Sequence, residues 1–311
     1  MTTLLPWAAF NLFVLAMLVL DLGVFHRRGH AIGVREAAGW SAVWVILALA
    51  FNAAVYFWRG LQPAVQFFTG YLLEKSLSLD NLFVFALIFR CTVVPAQFQH
   101  RVLFWGVWGA IVMRGIFILA GVELVSHFHW FLYVFGIFLL ISGVNLLRKP
   151  RPEFDPARSL LLRLARKFLP VTERFEGGAF FLQRAGRLWA TPLFLVLVLT
   201  EAADVIFALD SIPAVIAVTQ DPFIIYTSNI FAILGLRSLY FLLAGAIERF
   251  RYLHAGLSLV LMFMGAKMVL AYRVKIPTGL ALLVILAILL SAILASLRAE
   301  RKTSQESVVN P

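Results

Sequence analysis

The chain has 311 residues, 62% of them hydrophobic and only 14% charged, with a mean hydropathy of +0.91. No soluble domain hides that much apolar surface, so the composition points to a polytopic helical membrane protein. The net charge of +11 does not call for nucleic acid as a partner, because basic residues in such chains collect in cytoplasmic loops. The single cysteine, Cys91, excludes an internal disulfide and a thiolate cluster for soft metals.

Met1 to Pro6 carry no basic residue. The first apolar stretch therefore reads as a transmembrane helix entering N-terminus outward, not as a cleaved signal. Nine apolar spans follow in order, near 4–25, 37–57, 67–89, 102–122, 130–147, 191–217, 224–246, 253–271 and 277–297. None alternates like a strand, and only helices or closed barrels satisfy their backbone polar groups in lipid. The expected fold is all-α, a polytopic membrane protein of about nine transmembrane helices. With the N-terminus outside, alternating loops place 20 Lys and Arg inside and only Arg59, Arg273 and Lys275 outside. This asymmetry predicts N-out, C-in insertion in a bacterial inner membrane.

The 148–189 loop opens with Arg148-Lys149-Pro150-Arg151-Pro152, which ends the fifth span. Ser159 to Leu169 alternates basic and apolar residues, as an interfacial helix on anionic headgroups or a solvated loop would. The segment 298–311 reads as a cytoplasmic tail, polar from Glu300 to Pro311 and disordered there.

The halves flanking this loop echo each other. Glu74 and Asp80 share their spacing with Asp204 and Asp210, Arg114 matches Arg237, and Gly143-Val144-Asn145 matches Gly265-Ala266-Lys267. Two units of three spans follow, 67–147 and 190–273. The odd number of crossings inserts the second upside down, as in transporters whose substrate site lies where inverted repeats meet. Inversion predicts facing layers, Glu74 near Asp210 and Asp80 near Asp204, with Glu201 nearer the cytoplasm.

Five acids (Glu74, Asp80, Glu201, Asp204, Asp210) and four bases (Lys75, Arg114, Arg237, Lys267) lie inside spans. Each costs about 2.5–3.5 kcal/mol at mid-membrane on insertion scales. Structural ion pairs are one reading, although apolar packing can replace such pairs without loss. The reading preferred is a cation site in which the bases compete with a divalent ion or protons for the carboxylates. Ser78, Asn81, Ser211, Ser228 and Asn229 add hard oxygen donors, which suit Mg, Ca and Mn. The six histidines fall in loops or at span ends, so no imidazole is expected in the site. The His127-Phe128-His129 pair reads as interfacial. On an unbroken helix Glu74, Ser78 and Asn81 share a face, but Asp80 points about 120° away. Pro213 crowds the Leu209 carbonyl and predicts local unwinding beside Asp210.

At these residues the chain resembles the TerC family of integral membrane proteins, in particular its nine-helix, Alx-type branch. The stretches that carry the likeness include Glu74-Lys75-Ser76-Leu77-Ser78-Leu79-Asp80-Asn81, Gln99-His100-Arg101, Ala190-Thr191-Pro192, Leu209-Asp210-Ser211-Ile212-Pro213 and Thr227-Ser228-Asn229. The resemblance covers nearly all of the chain except the tail. It implies a metal-ion transporter, chiefly for manganese efflux, with links to tellurium resistance and the alkaline-pH response. It also implies that the acidic motif residues carry the metal. Ala203 stands where the family pattern leads one to expect Thr, and Asn145 where it leads one to expect Lys. Mn²⁺ is then the transported substrate, with no permanently bound cofactor, and proton exchange is the expected coupling. The competing reading is a membrane scaffold in a metal or tellurite stress response, docking protein partners through the 148–189 loop. HExxH and GxSxG are absent, and an enzyme is not expected.

Overall fold

A computed structural model describes residues 4–25, 33–148, 170–172, 175, 177–184, 186–243, 252–271, 273–274 and 276–309. Side chains at 21–25, 80, 83, 243 and 300–309 lie outside this description, and with them the carboxylate of Asp80. The Ser159–Leu169 stretch also falls outside the described residues.

The described secondary-structure elements are all helices apart from one hairpin. Helices α1 (Leu4–Phe25), α2 (Val34–Arg59), α3 (Leu61–Cys91), α4 (Ala96–His127) and α5 (Phe131–Arg148) precede the loop. Helices α6 (Pro192–Ile216), α7 (Pro222–Leu234), α8 (Leu236–Leu243), α9 (Leu253–Leu270) and α10 (Thr278–Val309) follow it. Seven spans are long and apolar enough to cross a membrane, counting α7 and α8 as one. Helix α1 adds a shorter apolar run. Helix α3 is not among the seven. It carries Glu74, Lys75 and Asp80, yet its 31 residues reach about 46 Å at helical rise. The nine expected spans are all present as helices among the described residues. Large apolar side chains such as Phe57, Leu5 and Ile46 project outward, as lipid-facing residues do.

Three sequence expectations change. Helix α6 runs unbroken through Pro213. Pro213 lies in the last turn, and its neighbours Ile212, Ala214 and Val215 are buried, so packing holds the helix despite the lost N–H. The break lies instead at Gly235, between α7 and α8. The tail does not end in coil, since α10 continues to Val309 through the helix-favouring Ala299-Glu300-Arg301-Lys302. Finally, the 148–189 loop contains an antiparallel hairpin, β1 (Phe181–Arg184) with β2 (Arg187–Ala190). The Phe181 ring packs against Phe194 at the start of α6, with centroids 4.5 Å apart and planes tilted by 47°, which ties the loop to the bundle.

Local chemistry sets the helix ends. Gly60 alone joins α2 to α3, at φ +92°, and its amide donates to the Tyr56 carbonyl. At the start of α7 the Asp221 carboxylate accepts from the amides of Phe223 (3.0 Å) and Ile224 (3.3 Å), with Pro222 at the first helical position. Its other oxygen pairs with Arg59 Nη2 at 2.6 Å, fastening the end of α2 to the start of α7.

Packing joins the two halves. Helix α5 lies along α9, α4 along α6, and α3 along both α7 and α6. The α5–α9 seam is close because small residues line it. A Cβ on Gly265 would lie 2.6 Å from the Gly136 carbonyl oxygen, and one on Gly143 would lie 2.9 Å from that of Ser258.

Candidate metal centre

Four helices bring one side chain each to a fully buried point. Arg114 of α4 and Glu74 of α3 are both 0% exposed. Arg114 Nη1 donates to Glu74 Oε1. The same guanidinium grips Asp204 of α6 with both edges, Nη2 to Oδ1 at 2.9 Å and Nε to Oδ2 at 3.2 Å. Asn229 of α7 closes the ring. Its Nδ2 donates to Glu74 Oε2 at 3.0 Å, and its Oδ1 accepts from Arg114 Nη1 at 3.3 Å. The forked guanidinium suits two carboxylates at once, which an ammonium could not do with the same geometry.

This pairing differs from the layered expectation. Glu74 shares its arginine with Asp204, because Arg114 is long enough to serve both. Glu74 also meets Asp210, though across a cavity instead of by contact. That cavity, of about 120 Å³, is lined by Glu74 and Asn81 from α3, Ser142 from α5, Asp210 and Ser211 from α6, and His254 from α9. It has room for several waters. The Asp210 carboxylate faces the Ser142 hydroxyl. Ser211 is 2% exposed, and its hydroxyl has no hydrogen-bond partner among the described residues. A buried polar group in that state is costly unless a ligand or water completes it.

The other predicted residues divide. Glu201, Asp204 and Arg237 line a second, narrow space of about 10 Å³ between α4, α6 and α8. The Glu201 carboxylate presses onto Gly109 of α4, where a Cβ would collide with it. Lys75 turns away from the acids, its Nζ donating to the Ala232 carbonyl at 3.2 Å. A Cβ on Gly235 would lie 2.7 Å from that ammonium, so the helix break and the buried lysine fit together. Lys267 donates to the carbonyl of Ala217 at 3.0 Å and caps the end of α6. Ser78 is buried with no partner for its hydroxyl among the described residues, but it does not line the cavity. Ser228 bonds back to its own helix, at the Ile225 carbonyl. Among the described residues, no three His, Cys, Asp or Glu side chains cluster tightly enough to hold a metal by themselves.

Two cavity residues escaped the sequence reading. Ser142 had no signal beyond being polar inside a span. His254 looked like a span-end histidine, but it occupies the first turn of α9 and faces inward to the cavity.

The profile of the Integral membrane protein TerC family matches residues 59–304. A Myxococcus xanthus membrane protein of uncharacterised function is 55% identical over 291 residues, covering 94% of this chain and 91% of its own. The Escherichia coli K12 protein Alx, which carries the provisional name of a membrane-bound redox modulator, is 48% identical over 297 residues and 92% of each chain. A Rickettsia bellii membrane protein is 41% identical, over 94% of this chain and 97% of its own. No solved structure matches the chain.

Proposed function

We propose that this chain, which belongs to the TerC family of integral membrane proteins, exports divalent metal cations, Mn²⁺ foremost, in exchange for protons. The observation that carries the reading is the buried Glu74–Arg114–Asp204 cluster bordering a cavity that also holds Asp210 and the unsatisfied Ser211 hydroxyl. Formally, Glu74, Asp204 and Asp210 outweigh Arg114 by two negative charges, which one divalent cation would balance. Oxygen donors of this kind suit hard cations. Arg114 competes with the ion for Glu74 and Asp204, so binding and release of metal or protons change what the guanidinium holds. That competition is the coupling device. Lys75 and Lys267 are engaged on backbone carbonyls, which leaves the coupling role to Arg114, with Arg237 beside Glu201.

The helix contacts support the reading of an inverted repeat. Exchanging α3, α4 and α5 for α6, α7–α8 and α9 carries the α4–α6 contact onto α3–α7 and leaves α5–α9 in place. The same shift takes Gly143 to Gly265 and Gly136 to Ser258, so the two close backbone approaches of the seam exchange with each other. The excess of Lys and Arg on alternate loops supports the further reading that the chain inserts in a bacterial inner membrane with the N-terminus out and the C-terminus in.

A strain carrying Asp80→Asn and Asp210→Asn should lose manganese tolerance while the protein still inserts. Undiminished tolerance would contradict the reading. The scaffold reading rests on the ten basic residues of the 148–189 loop. Neutralising them should abolish function under that reading and leave flux intact under this one. The relatives' redox name meets a single cysteine here, Cys91, so thiol–disulfide chemistry would need a second molecule.

A further inference from the structure

Glu74 and Lys75 are neighbours on α3, and both side chains reach the same turn of α7. Glu74 Oε2 accepts from Asn229 Nδ2 at 3.0 Å, and Lys75 Nζ donates to the Ala232 carbonyl at 3.2 Å. Asn229 and Ala232 stand three residues apart, on one face of α7. The lysine contact falls where the helix stops. Helix α7 ends at Leu234 and α8 begins at Leu236, and the last four carbonyls of a helix have no donor within it. Lysine suits such a carbonyl, by hydrogen bonding and by the sign of the helix dipole at that end. Gly235 is the notch that admits it. Its φ is −84°, so the glycine answers a need for space and not for a left-handed backbone. A Cβ there would lie 2.7 Å from Lys75 Nζ and 3.2 Å from Trp44 Cβ.

The break sends the two helices to different places. Helix α7 delivers Asn229 to Glu74 and Arg114, while α8 delivers Arg237 to the narrow space beside Glu201 and Asp204. Lys75 lines neither that space nor the larger cavity. Its grip on α7 is its route to the buried cluster. We propose that Lys75 is a positioning residue: by capping the end of α7 it holds Asn229 on Glu74 and Arg114, independently of where α8 carries Arg237. A buried polar ring keeps its geometry only if the elements that present it are themselves fixed. The effect of Lys75 on flux rests on the transport reading above, whereas its effect on the order of α7 does not.

The test uses the full-length protein. In nanodiscs, amide hydrogen exchange reads the joint directly. Lys75→Met removes the donor and keeps an unbranched apolar chain. Exchange over 229–239 should quicken by about fivefold, the worth of one hydrogen bond, while the α5–α9 seam stays as it was. Gly235→Ala, whose Cβ would displace Nζ with Lys75 itself intact, should quicken the same peptides. In liposomes, Lys75→Met and Asn229→Ala should each shift KM for Mn²⁺ by about fivefold in the same direction. The double variant should shift it no further than Asn229→Ala alone, because Lys75 acts through Asn229. Lys75→Gln, which keeps an N–H donor, should restore part of the wild-type KM. Loss of folded protein alone lowers the maximal rate and leaves KM in place. Unchanged exchange at 229–239, exchange raised equally throughout the chain, an unchanged KM or additive shifts in the double variant would each overturn the assignment and leave transport standing. Wild-type protein that moves no Mn²⁺ would overturn the transport reading, and the exchange measurement would still decide whether Lys75 holds α7.

Discussion

Arg114 and Asp204 meet edge to edge in the buried centre of the bundle, two N–H···O bonds at 2.9 and 3.2 Å joining α4 to α6. The same guanidinium holds Glu74 of α3. One cation therefore serves two carboxylates, one from each side of the 148–189 loop. Such a group is expensive to bury and more expensive to leave half made.

Removing the arginine exposes that cost. Arg114→Gln leaves Glu74 and Asp204 buried beside each other without a counter-charge, and should destabilise the protein by about 3–5 kcal/mol. Adding Glu74→Gln removes one of the orphaned charges. The double variant should melt above Arg114→Gln alone in detergent, a positive coupling that a thermal double-mutant cycle would read. Equal melting temperatures would mean that the two groups do not interact as the geometry has it.

Ser211 separates binding from folding. Its hydroxyl has no partner among the described residues, so Ser211→Ala has no hydrogen bond there to lose on folding. The melting temperature should hold. Mn²⁺ binding should weaken by about fivefold, the equivalent of one hydrogen bond near 1 kcal/mol. Isothermal titration on the purified variant checks both halves of the statement.

Gly235 is required by Lys75. A Cβ there would lie 2.7 Å from the ammonium and 3.2 Å from Trp44 Cβ. Gly235→Ala should cost about 1–3 kcal/mol through overpacking. Lys75→Met in the same chain should recover part of this, because the thioether is softer and shorter in reach. No recovery would place the strain on the Trp44 side.

Asp221 both caps α7 and pairs with Arg59. Asp221→Ala should cost about 1–2 kcal/mol for the cap, with little added by the partly exposed ion pair. Asp221→Asn retains a capping oxygen and should recover most of the loss. Thermal unfolding of the two variants side by side distinguishes cap from charge.

The spans were legible because a helix in lipid is apolar over most of its length. Seven runs have that length and character among the described residues, while α1 offers a shorter apolar run and α3 is interrupted by Glu74, Lys75 and Asp80. The site was legible for the opposite reason. Glu74, Arg114, Asp204 and Asp210 break apolar runs at a cost that an arbitrary sequence would not retain. Partners were harder to read. Which acid Arg114 would hold depended on how α4 packs against α3 and α6, and spacing along one helix says nothing of that. Pro213 was the louder helix-breaking signal, yet tertiary packing overrode it, while Gly235 yielded because Lys75 occupies the space beside it. His254 lay beyond reading because its sequence position, at the edge of a span, does not show that α9 turns its first residues toward the cavity. The hairpin at 181–190 sat in a loop too polar and too short for the span analysis to register.

The most direct test of transport is Mn²⁺ flux through purified protein in liposomes at several imposed pH gradients. Proton-coupled export predicts Mn²⁺ movement whose rate rises with an opposing proton gradient and stops in Asp210→Asn. Flux indifferent to the gradient would contradict the exchange mechanism, and liposomes in which wild-type protein moves no Mn²⁺ under any gradient would contradict the transporter itself.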